Sequence, residues 1–162
     1  MPTDHAQCDL QIKHLSEGAR LLTLGMREWT RALHDGECGG CAVRELYQMH
    51  GFEAAAPIAN EIMCYVASVA TEVLQIWSEP FCDVGGDELR IVNIARAVEF
   101  DDPESAYELC GDLFPGSLAT TFLRIMRAFT HVAGQHGLSM NGRHGLSLVA
   151  DNTLPRSRVV PV

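Results

Sequence analysis

Apolar positions recur at helical spacing along most of the chain, and strand-type alternation is almost missing. From Glu17 to Leu33, the residues Leu22, Met26, Trp29 and Leu33 share one face while Arg20, Arg27 and Arg31 share another. That pattern predicts an amphipathic helix with a solvated arginine side. "ALHDGECGG" stops it with poor helix formers in succession. A short helix is predicted from Cys41 to His50, with Val43, Leu46, Tyr47 and His50 on its stripe and Gly51 as its left-handed stop.

The longest predicted helix runs from Ala54 to Ser78. Ile58, Ile62, Tyr65, Val66, Val69, Val73, Ile76 and Trp77 make one continuous stripe, and Pro57 fits only the first turn. Its back is small or uncharged at Asn60, Cys64, Ala67, Thr71 and Gln75, as on a helix central to a bundle or set against a second copy. Glu61, Glu72 and Glu79 flank it, with Arg20, Arg27 and Arg31 as the simplest surface partners.

After the break "SEPFCDVGGDE", Asp87 and Glu88 start a fourth helix striped by Ile91, Ile94, Ala95 and Val98. "FDDPES" is the clearest start signal: Asp102 as N-cap, Pro103 at the first helical position and Glu104 in the first turn. The short helix it opens buries Ala106, Leu109, Cys110 and Leu113. The last helix runs from Ser117 to His136, carries Leu118, Phe122, Ile125, Met126, Phe129 and Val132, and ends at Gly137. The fold class expected is all-α: a single domain over residues 1–162, a bundle of about six helices around a long central one. An N-terminal arm (1–15) and an irregular C-terminal tail (138–162), with "LSLVA" as its only strand-like run, complete it.

Composition narrows the function. The 162 residues carry a formal net charge of -9, which argues against a nucleic-acid partner. Ten carboxylates (Glu79, Asp83, Asp87, Glu88, Glu99, Asp101, Asp102, Glu104, Glu108, Asp112) crowd the middle, opposed only by Arg90 and Arg96. That stretch reads as a solvated face. Lys13 is the single lysine, so Schiff-base chemistry has almost no candidate. Phosphate-cradling glycine loops, Glu-x-x-His pairs, His-Glu-x-x-His and G-x-S-x-G are all missing from the sequence. No apolar run approaches the roughly eighteen residues of a membrane span, and "MPTDHAQCDL" does not read as an export signal. Six irregularly spaced cysteines then fit reduced thiols, and the expected location is cytoplasmic.

One stretch carries chemistry. In "LHDGECGGCAVREL", His34, Cys38 and Cys41 are zinc-ligand types, with Cys82 the best fourth ligand and Cys8 and His50 weaker ones. The same Cys-x-x-Cys beside a helix start suits thiol redox, because the helix dipole favours thiolate. It is similar to the carboxymuconolactone decarboxylase-like proteins, all-helical proteins some of which use Cys-x-x-Cys with a following histidine and an upstream glutamate. That resemblance implies a redox role for Cys38 and Cys41; Glu45 stands at the histidine position, and Glu28 is upstream at a different spacing. The plainest reading makes "HDGECGGC" a turn between two helices in which small cysteines are tolerated.

Cys110 reads as core and Cys64 as packing or interface, while Cys82 lies in a break. His50 and His136 suit helix C-termini, His131 joins Arg124 and Arg127 on a polar face, and His144 with Arg143 lies in the tail. The leading expectation is a non-catalytic helical binding or regulatory domain, homo-oligomeric through Asn60, Cys64, Ala67, Thr71 and Gln75, with no cofactor. The alternatives are a thiol oxidoreductase using Cys38 and Cys41, and a zinc-stabilised domain using His34, Cys38, Cys41 and Cys82.

Overall fold

The computed structural model describes residues 10–77 and 82–141. Among the described residues six α-helices follow one another: α1 (Glu17–His34), α2 (Gly39–Met49), α3 (Ala56–Val69), α4 (Gly86–Glu99), α5 (Pro103–Gly111) and α6 (Gly116–Gln135). The all-α bundle is as the periodicity predicts. Among the described residues, β-pairing is confined to one isolated bridge, Gln11 with Asp83. No helix there is long and apolar enough to cross a membrane. Within the N-terminal arm, residues 10–15 are tied down: Ile12 donates to the Cys82 carbonyl, Val84 to that of Leu10, and Leu15 is buried. Residues 1–9, with Cys8, and 142–162, with "LSLVA" and His144, lie outside the described residues.

Capping sets the helix starts. The Ser16 hydroxyl accepts from Ala19 N–H at the head of α1, and Asp102 accepts from Ser105 N–H at the head of α5, where Pro103 follows as expected. The core joins α2, α3, α4 and α6 through Val43, Ile62, Ile91, Ile94, Phe122 and Met126, all fully buried. Aromatic rings thread it, with Phe114 and Phe122 centred 4.6 Å apart and Tyr47 and Phe52 5.2 Å apart.

The 54–78 rod needs correction. α3 ends at Val69, and the chain turns extended at Ala70 (φ -61°, ψ 138°). Beyond that point tertiary acceptors replace the helix's own carbonyls. Thr71 N–H and hydroxyl both donate to Leu113 O (3.1 and 3.3 Å), Gln75 N–H to Asp87 Oδ2 (2.8 Å), and Trp77 N–H to Glu88 Oε1 (3.1 Å). β-branched Thr71, Val73 and Ile76 suit that extended backbone better than a helix. Val73, expected in the core, is 94% exposed. Among the described residues the longest helix is α6, and α1 packs against α2, α3 and α4.

Arg27 also departs from expectation. It is 2% exposed and forms a two-pronged ion pair with the fully buried Glu88: Nε to Oε1 and Nη2 to Oε2, each 2.8 Å. Nη2 donates further to Asp83 O at 2.6 Å. The Glu88 carboxylate also accepts from Gly85 N–H (2.8 Å) and Trp77 N–H, so it ties α1, α4 and the 70–77 strap into one knot. Arg31, expected opposite the α3 carboxylates, instead holds Glu28, Asp35 and Glu37 around the end of its own helix.

Candidate functional site

The glycine-rich turn after α1 delivers a cysteine pair to a helix start. Glu37 N–H reaches back to Ala32 O (2.7 Å), with Gly36 left-handed at φ 77° between them. Cys38 follows in extended conformation as the N-cap of α2, and its Sγ accepts from Cys41 N–H at 3.3 Å. Capping is ordinarily the work of a hydroxyl or carboxylate; here a thiol does it.

Packing explains the two intervening glycines. A Cβ on Gly39 would lie 2.7 Å from Trp29 Nε1, and one on Gly40 2.9 Å from Asn60 Oδ1. Trp29 Nε1–H donates to that same Asn60 oxygen at 2.9 Å, and the Cys64 thiol lies 3.8 Å from it. The start of α2 is therefore pressed onto a Trp29–Asn60 platform supplied by α1 and α3. Only glycine allows that approach without displacing the indole.

Both thiols of the pair are exposed. They are electrostatically unequal. The Cys41 thiol donates to Cys38, the Cys41 and Gly40 N–H groups add to it, and Cys38 is held below the ordinary thiol range against a smaller desolvation effect. Cys41, the donor of that bond and neighbour of the Cys38 charge, is held above it. Cys110, by contrast, is buried in the core and pushed up to about 12.

The other expected ligands are not brought to this pair. The His34 ring is 89% exposed and faces Asp35. Cys82 sits in the break before α4, where its carbonyl accepts from Ile12. His50 caps the far end of α2. Among the described residues, no three His, Cys, Asp or Glu side chains are placed to hold a metal ion. Glu45 is exposed, and Glu28 is engaged by Arg31, so neither residue reproduces the relay that the decarboxylase-like resemblance implies.

The expected interface stripe divides. Cys64 and Ala67 are exposed on α3, whereas Asn60 is half-buried under Gly40, and Thr71 and Gln75 lie on the extended strap. Asn60 and Trp29 are the supporting residues that periodicity did not single out for this site. The adjacent Gly39 and Gly40, which call for something large above them, were the available signal. Comparison with protein-family models, curated proteins and solved structures finds no match.

Proposed function

We propose that this protein carries out thiol–disulfide exchange, with Cys38 as the attacking and Cys41 as the resolving thiol. One observation carries the reading: an exposed thiol caps α2, with its partner cysteine one turn inside the helix. The first turn favours negative charge at the cap, and the lowered Cys38 is the readier of the two thiols to ionise.

The Cys38 thiolate attacks one sulfur of a disulfide, the S–S bond breaks, and the other sulfur leaves as thiolate. Cys41 then loses its proton and attacks Cys38 Sγ, forming the Cys38–Cys41 disulfide and releasing the second thiolate. Two electrons pass to the substrate disulfide, and an external dithiol restores the pair. The test uses oxidised glutathione. Cys41→Ser should stop at a mixed disulfide on Cys38, whereas wild type should proceed to an internal disulfide two hydrogens lighter by mass spectrometry. Glutathione distributed evenly over Cys38, Cys64 and Cys82 would count against the assignment.

A second reading, a non-catalytic binding or regulatory domain, is favoured by an open groove of about 840 Å³ between α1, α3 and the 70–77 strap. Trp29, Met63, Val66, Ala70 and Val73 line it, and Glu72 is its one charged group. Ala67→Arg at its edge should dissociate an oligomer formed there without loss of helix content. A wild type that sediments as a monomer at every concentration removes the self-association part of that reading.

A further inference from the structure

A second pocket, of about 260 Å³, lies between the end of α4, the start of α5 and the middle of α6. Val98, Ala106 and Leu123 give it an apolar floor, and Asp101, Asp102, Arg124 and Arg127 are the charged residues of its lining. Among the described residues, neither guanidinium nor the Asp101 carboxylate has a side-chain hydrogen bond or ion pair.

The backbone adds an independent observation. Asp101 is the one non-glycine at positive φ (55°) among the described residues. It ends α4 with the same reach-back bonding that ends α1, since Asp102 N–H donates to Ala97 O and Asp101 N–H to Val98 O. After α1, α2 and α6 the left-handed position is filled by Gly36, Gly51 and Gly137. An aspartate keeps that conformation less comfortably than glycine, and strained residues of this kind cluster at binding sites.

We propose that this pocket binds a free amino acid with an apolar side chain. Arg124 and Arg127, one turn apart on α6, clamp the carboxylate; Asp101 takes the ammonium; the side chain rests on Val98, Ala106 and Leu123. Size supports that class. Pockets for drug-sized molecules run from about 300 to 1,000 Å³, so this one suits something smaller, well short of a nucleotide. Asp102 also lines the pocket but caps α5 through Ser105 N–H, so two cations face the one carboxylate left over from capping, a pattern that matches a zwitterion entering carboxylate-first.

Calorimetric titration of the whole chain with L-leucine tests it. Saturable one-to-one binding is expected, with 4-methylpentanoate (no amine) and isopentylamine (no carboxylate) each at least about tenfold weaker, as loss of a charge-assisted bond implies. Asp101→Gly should weaken L-leucine by a similar factor while raising the melting temperature, because glycine relaxes the left-handed turn. Asp101→Asn should weaken binding without that rise. A change of Arg124 and Arg127 together to Met should abolish binding with the circular dichroism spectrum unchanged. No saturable heat at millimolar L-leucine, equal binding of the two half-molecules, or unaltered affinity in Asp101→Gly would each overturn the proposal.

Discussion

Two helix starts in this molecule use nearly the same local design to opposite ends. α2 begins Cys38-Gly39-Gly40-Cys41, and α4 begins Val84-Gly85-Gly86-Asp87-Glu88. Each lays a glycine against an indole: Gly39 on Trp29, and Gly85 on Trp77. In α4 the orphan N–H of Gly85 is met by Glu88, whose charge is buried and neutralised by Arg27. In α2 the cap is a thiol open to solvent, with no counter-charge buried beneath it. Glycine and tryptophan settle where a helix starts. The capping group, and whether water reaches it, decides whether that start is a structural joint or a place for chemistry.

Removing the buried partner should have the largest effect. Glu88→Ala leaves the Arg27 guanidinium inside the protein without its carboxylate and frees the Gly85 and Trp77 amides. A loss of about 3–5 kcal/mol in denaturant unfolding is expected. Arg27→Met combined with Glu88→Leu should recover much of it. A loss below about 1 kcal/mol for the single change would mean the pair is hydrated, as at a surface.

Next come the glycines. Gly39→Ala and Gly85→Ala each drive a methyl into an indole and should lose roughly 1–3 kcal/mol, read from the same unfolding curves. Gly39→Ala should also disturb the Cys38 environment, which Gly85→Ala should leave untouched. If both variants changed thiol reactivity alike, the two starts would not be independent.

The smallest effect on stability belongs to the thiol cap itself. Serine is a good N-cap, so Cys38→Ser should change unfolding by no more than about 0.5–1 kcal/mol in either direction, yet end the exchange chemistry. Loss of several kcal/mol would reassign Cys38 to structure. Alkylation followed by peptide mapping gives a companion check: Cys110, buried and pushed up to about 12, should react only on unfolding, while Cys38 reacts first.

Much of this was legible in the chain. The Asp102-Pro103 start of α5, the stripe of α6 and the glycine stops after α2 and α6 act through local geometry, which sequence carries directly. The end of α3 was not legible, because Val73, Ile76 and Trp77 continue a helical period while acceptors on Leu113, Asp87 and Glu88 hold that segment extended. Over so few residues a helical period can persist by chance while the contacts that fix the backbone lie far away in the sequence. Arg27 was misread for the same reason. Its partner lies 61 residues away, and only the small Ala19 and Thr23 on its side of α1 hinted at a covered face. At the cysteine pair, motif and helix start were visible, but the inequality of the two thiols required the Cys41 thiol and N–H to be seen on Cys38.

That inequality is the central claim, and the pH dependence of alkylation at each cysteine tests it most directly. Cys38 should react at a rate that persists as pH falls below the usual thiol value of about 8.5, declining only through its own lowered value. Cys41→Ala, by removing the donated thiol proton, should move that decline back toward the ordinary thiol value. A Cys38 profile superimposable on those of Cys64 and Cys82, unchanged by Cys41→Ala, would contradict the account.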